Sequence, residues 1–153
     1  MHFVRLAAAM CGYLAKATGL LGCISWISDQ RVVDAINKLP GDVSLVLHAA
    51  NPAALGDTER RLAAALASPN ANQERVLFLG DGRSRLHHKF LVLLDADDDP
   101  YAVWTSSSNF AENSSRCLEN AVFIEDATIA RAYAAEFTQL LIAARKCRDS
   151  RKF

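Results

Sequence analysis

Apolar and polar positions alternate with several different periods along this chain. Residues 3 to 17 are rich in Ala and Leu and read as a helix, broken by Thr18 and Gly19. Leu20 to Ser25 is a short continuous apolar run, the pattern of a buried strand. Ser28 then stands as a helix cap. Val32, Val33, Ile36 and Leu39 follow at helical spacing, and Pro40-Gly41 stops the run. Val43 to Leu47 is a second strand. Strand, helix and strand within about thirty residues predict a parallel crossover.

The second half continues in shorter pieces. Residues 49 to 57 carry Asn, Pro and Gly and read as a loop. Thr58 to Leu66 is a helix with Arg60 and Arg61 on its polar side, and Pro69 to Asn72 is a turn. Arg75 to Leu79 is a strand ended by Gly80-Asp81-Gly82. His88 to Leu94, an acidic turn over Ala96 to Pro100, and Ala102 to Thr105 make a hairpin. Asn120 to Ile124 is one more strand. From Ala127 to Ala144, an apolar stripe of Ile129, Tyr133, Phe137, Leu140 and Leu141 predicts a long helix packed on the sheet. The basic tail KCRDSRKF reads as frayed.

Composition narrows the class. A chain of 153 residues is expected to form one domain, residues 1–153, with a real core. Seventeen Lys plus Arg balance seventeen Asp plus Glu, so the net charge is zero. That excludes a broad basic surface but allows a local basic groove. Cys11, Cys23, Cys117 and Cys147 contain no C-x-x-C pair, so neither a zinc site nor any other metal is expected. Reduced thiols and a cytoplasmic location follow. Residues 3–15 also resemble a signal-peptide core, with Ala15-Lys16-Ala17 as a cleavage site, which would make the protein exported. The run is too short to span a membrane. An amphipathic first helix of the domain is the reading preferred.

The chemistry concentrates between His87 and Asn120. On a strand, His87 and Lys89 share one side and His88 takes the other. A neighbouring ammonium holds imidazole in its neutral, nucleophilic form and is itself a partner for phosphate oxygens. Ser107 and Asn109 also share a side, and both donate. Glu119 opens the next strand, where a carboxylate can orient an imidazole. Taken singly these are a solvated pair, a polar turn and a surface charge. The run Asp97-Asp98-Asp99 reads as a solvated turn.

These residues resemble the motifs of the phospholipase D superfamily, H-x-K, four residues and Asp, then G-S-x-N. His87-His88-Lys89 supplies H-x-K. Ser106-Ser107-Ser108-Asn109 stands for G-S-x-N, and Glu119-Asn120-Ala121-Val122 is similar to the E-N-A-V stretch of small single-motif members. Those members include a bacterial endonuclease and a mitochondrial-type cardiolipin hydrolase. The resemblance extends to CISWISDQRVVDAI and to ATIARAYAAEFTQLL, about residues 18–145 in all. Two positions depart from it. Asp95 comes after five residues rather than four, and Ser106 replaces the motif glycine.

The resemblance implies an α/β fold, a mixed β-sheet flanked by helices on both faces. It implies a two-step displacement in which His87 forms a phosphohistidine and a second histidine serves as acid, then base. Lys89 and Asn109 would hold phosphoryl oxygens, Ser107 would assist, and Glu119 would orient His87. No cofactor is implied. With one H-x-K, the second histidine would come from a homodimer that shares one site; His48 is an alternative within the chain. Arg85, His88, Ser106 and Arg116 are the candidate substrate contacts, with Arg83 nearby. Three functions stay open: a nuclease on nucleic acid, with DNA first, a membrane phospholipid hydrolase, or a non-catalytic binding module.

Overall fold

The structure, a computed structural model, describes residues 5–67, 74–80, 85–111 and 118–149. The turn expected at Pro69 to Asn72, the glycine turn beyond Gly80, Arg83, Arg116 and Cys117 lie outside these residues. The elements run α1 (Leu6–Leu14), β1 (Gly19–Ile24), α2 (Gln30–Asn37), β2 (Val43–His48), α3 (Asp57–Ala65), β3 (Val76–Leu79), β4 (Lys89–Leu94), β5 (Pro100–Ser106), β6 (Ala121–Ile124) and α4 (Ala127–Asp149).

The six strands form one mixed sheet in the order β3-β2-β1-β4-β5-β6. β1, β2 and β3 are parallel, joined by crossovers through α2 and α3. β4 returns antiparallel beside β1, and β5 and β6 continue as antiparallel neighbours. The parallel crossover and the hairpin expected from the sequence are both present. Alternation along the strands sends side chains to two cores. Leu20, Ile24, Leu45, Leu47, Leu91 and Trp104 pack with α1, α2 and α3 on one face. Cys23, Val46, Phe90, Val92 and Val103 pack against α4 on the other. Helices therefore cover both faces, as expected.

Several boundaries differ from the expectation, each for a local reason. Asp29, not Ser28, caps α2: its carboxylate accepts from Arg31 N at 3.0 Å and is gripped by the Arg31 guanidinium. The hydrogen bonds from Arg31 hold the Asp29 carboxyl below its ordinary range. The Ser28 N–H instead reaches Phe110 O at 2.7 Å. α4 does not fray where the basic tail begins. It runs on to Asp149, with Arg148 paired to Glu74 and a basic last turn that suits the helix dipole. Its buried positions are Ala130, Phe137 and Ala144, whereas Ile129 is exposed, so small residues let the helix lie close to the sheet. In α1, Met10 and Leu14 are in the core and Tyr13 stacks on Phe123. Among the described residues no helix is long and apolar enough to cross a membrane.

Candidate active site

The strand directions bring one set of termini to one edge of the sheet. β1, β2, β3 and β5 end there, and β4 and β6 begin there. Ser25, His48, His87, Lys89, Ser107 and Glu119 all sit at or next to those termini. This edge is where polar side chains can converge without opening the core.

Lys89 is the first residue of β4, opposite Ile24 of β1, and only 7% exposed. Its Nζ donates to His87 O at 2.9 Å and lies 3.5 Å from Ser25 Oγ. Ser25 Oγ in turn donates to Leu86 O at 2.8 Å. The buried ammonium thus braces the backbone that carries His87, whose side chain is exposed. Burial pushes the Lys89 pKa down from the ordinary lysine value, and the Glu119 carboxylate opposes that shift. An ammonium has three protons to donate. Two of them have acceptors among the described residues.

The other half of the edge is the TSSSN turn. Ser107 Oγ donates to the Glu119 carboxylate and accepts from Asn120 N at 3.1 Å, while Ser107 N donates to Asn120 O at 3.0 Å. Ser107 and Glu119 are therefore one unit. No hydrogen bond joins Glu119 to His87 among the described residues: the carboxylate expected to orient the imidazole faces Ser107 and sits in the field of Lys89. Ser106 Oγ donates to Ser108 O at 3.0 Å. The hydroxyl of the serine in the motif-glycine position is thus bonded within its own turn. Ser108 is buried and donates to Asn109 O at 2.7 Å. Just beyond, Phe110 O accepts from Ser28 N and from Asp29 N at 2.9 Å, which ties the turn to the start of α2 and fixes the half-buried Asn109.

His88 departs to the other face, as strand alternation requires. Its Nε2 is 3.7 Å from Glu136 Oε1 of α4, and its ring meets Phe90 edge-on. It is separate from the Lys89–Ser107–Glu119 group. Arg85 is exposed and shares with His87 and His88 an open cleft of about 640 Å3. His48 ends β2, its ring beside Gly80 and its Nδ1 buried without a hydrogen-bond partner among the described residues. Arg116 lies outside the described residues.

Asp95 is at the opposite end of the sheet. Its Oδ1 accepts from Asp97 N at 2.9 Å and from Asp99 N at 3.0 Å, closing the turn in which Asp98 has φ 62°. The β4–β5 ladder shifts register between Leu93 and Leu94, just before this turn, with the extra residue, Tyr101, on β5. Among the described residues no group of three or more His, Cys, Asp or Glu could hold a metal ion.

Sequence reasoning missed Ser25. It follows an apolar strand and carries no motif. Only the pairing of β1 with β4 puts its hydroxyl beside the lysine. The carbonyl of Phe110 was equally invisible, since any residue supplies one.

A family model described as "Cardiolipin synthase, PLD-like domain" matches residues 15–141. An uncharacterized protein of Acanthamoeba polyphaga mimivirus is 22% identical over 174 residues, covering 89% of this chain and 62% of that protein. The chain thus spans less than two-thirds of that relative's length. Among solved structures, a phospholipase D family member, Nuc from Salmonella typhimurium, superposes with a TM-score of 0.70 at 16% identity, covering 89% of this chain and 86% of its own. NucT from Helicobacter pylori superposes with a TM-score of 0.67 at 14% identity, covering 91% and 89%. At such identities the likeness is one of fold.

Proposed function

The chain belongs to the phospholipase D-like family, and from that premise we propose that it is a phosphodiesterase that cleaves nucleic acid through a phosphohistidine on His87, without a metal. The observation that carries this is the pairing of an exposed His87 with a buried Lys89 that braces its backbone. A nucleophile must be reachable, and the cation beside it must be held in place before charge develops.

In the first step an imidazole nitrogen of His87 attacks phosphorus. The bond to the leaving oxygen breaks, its electron pair stays on that oxygen, and a second histidine supplies the proton. In the second step the same histidine takes a proton from water, the hydroxide attacks phosphorus, and the phosphorus–nitrogen bond to His87 breaks. Lys89 and Asn109 offset charge on the phosphoryl oxygens. Ser107 and Glu119 act as one positioning pair whose carboxylate keeps the Lys89 ammonium charged. The donor set supports a route without metal: an ammonium, an amide and hydroxyls around one carboxylate.

The second histidine comes from the same position of a second copy, related by a two-fold axis. Leu118, next to Glu119, is a fully exposed large apolar side chain at this edge, which suits an interface there. Arg85 is the described contact for flanking phosphates, and Asp99 and its neighbours lie too far along the sheet to repel them.

The test is plasmid and oligonucleotide cleavage in excess EDTA, with cardiolipin vesicles as a second substrate because the family description names a lipid enzyme. Cleavage of nucleic acid that is lost in His87→Ala, by a protein that sediments as a dimer, is the expected result. Lipid hydrolysis alone would move the substrate class, wild-type protein inert on both would leave a binding module, and a fully active monomer would sink the shared site.

A further inference from the structure

His87 belongs to two surfaces at once. On one side is the Lys89–Ser107–Glu119 group, where the phosphate is held. On the other is the open cleft between the segment before β4 and helix α4, which none of those three residues lines. A phosphodiester has two substituents. With phosphorus at His87 and its oxygens at Lys89, this cleft is open to one of the two substituents, because His87 lines it.

Resting on the nucleic-acid reading above, we propose that this cleft seats the nucleoside on one side of the scissile phosphate. Leu86, which is 7% exposed, and the half-buried Leu140 of α4 supply apolar walls for the flat face of a base or sugar. His88, whose Nε2 is 3.7 Å from Glu136, adds an imidazole with a ring face and a polar edge. Arg85 is exposed on the same cleft, where it meets the next phosphate of a chain that continues outward. Gly80 also lines the cleft, and close packing keeps it a glycine: a Cβ there would stand only 2.0 Å from the carbonyl oxygen of Ala49. A lipid acyl chain fits this lining poorly. It would lie in an open cleft beside a guanidinium and an imidazole, with little of its surface removed from water.

The assignment gives His88 and the end of α4 a role in substrate positioning that the motif residues lack. It also makes specificity separable from chemistry. Bis(p-nitrophenyl) phosphate offers the cleft only a nitrophenyl ring, with no sugar and no following phosphate for Arg85, so it depends on the cleft less than an oligonucleotide does.

Leu140→Trp and Cys147→Phe both place bulk in the cleft. The ratio of kcat/KM on a single-stranded oligonucleotide to that on bis(p-nitrophenyl) phosphate is expected to fall about tenfold in each, the effect of losing roughly 1.4 kcal/mol of binding. Folded variants that keep the wild-type ratio overturn the inference and leave the proposed function standing. Wild-type protein inert on both substrates overturns the proposed function and this inference with it. Should neither variant fold, the wild type still decides. Alkylation of Cys147 by iodoacetamide, located by peptide mass mapping, is expected to slow when a phosphorothioate oligonucleotide is added. Labelling that the oligonucleotide leaves as fast as before overturns the inference, as does protection by cardiolipin vesicles alone.

Discussion

At one end of the β4–β5 hairpin, Asp95 turns its carboxylate back on the chain and takes the N–H groups of Asp97 and Asp99. At the other end, Lys89 and Ser107 are bonded to neighbours while His87 is left exposed. Both ends are dense in polar residues, and both end in a tight turn or a strand terminus. The acidic end spends its polarity on its own backbone. The basic end uses part of its polarity as a brace and leaves the imidazole of His87 exposed. Polar density in a sequence therefore does not mark a site. What marks it is a polar group held by others while one of its own valences stays available.

The largest effect expected from this contrast is at His87. His87→Ala should lower phosphodiester hydrolysis by at least about 10^4-fold, as loss of a covalent nucleophile does. Asp97→Ala, at the acidic end, should change kcat/KM by less than about twofold. Equal losses in the two variants would erase the distinction. Lys89→Met comes next, with a loss of about 10^2–10^3-fold from the missing charge on the phosphoryl oxygens. Its unfolding temperature should hold or rise, because a buried ammonium is costly to desolvate. The folded pKa of Lys89 lies below the ordinary value of 10.5, so protonation opposes folding. The wild type should therefore gain stability on Lys89→Met as pH rises from that lowered value to 10.5, where the unfolded chain binds more protons. Urea unfolding of both proteins across alkaline pH measures it.

Glu119→Gln removes the charge that opposes the Lys89 shift. A loss of about tenfold in kcat/KM is expected, with the alkaline limb of the pH–rate profile displaced to lower pH. A limb that stays in place would assign Glu119 to Ser107 alone. Asp95→Ala has the smallest effect on activity. It should cost about 1–2 kcal/mol of stability through two lost backbone acceptor bonds, seen in denaturant unfolding, with kcat within about twofold of wild type. A large kcat loss there would mean that the hairpin transmits strain from one end to the other.

Legibility followed range along the chain. His87 and Lys89 could be read as neighbours because strand alternation is local, and Ser107 and Asn109 for the same reason. The same rule sent His88 to the far face, where Glu136 waits on a helix almost fifty residues later. Glu119 was expected to orient His87, and its hydrogen bond goes to Ser107 instead. That preference is set by how β5 and β6 align, and no spacing rule states it. Ser28 and Asp29 show a closer miss. Either can cap a helix, and the choice turned on Phe110 O claiming the Ser28 N–H.

The sequence by itself determined the order of strands and helices, the two cores and the motif residues, because hydrophobic periodicity and turn chemistry act over a few residues. It also carried the family resemblance across nearly the whole chain. Only the tertiary structure decided that β4 lies between β1 and β5. The β1–β4 pairing brings Ser25 under Lys89, and the β5–β6 pairing sets Glu119 against Ser107. These contacts join residues up to 64 positions apart, as Ser25 and Lys89 are, and they are fixed by which strand edges pair. Edge pairing is a competition among all the strands at once, which is why it is written in the fold and in no single stretch of the chain.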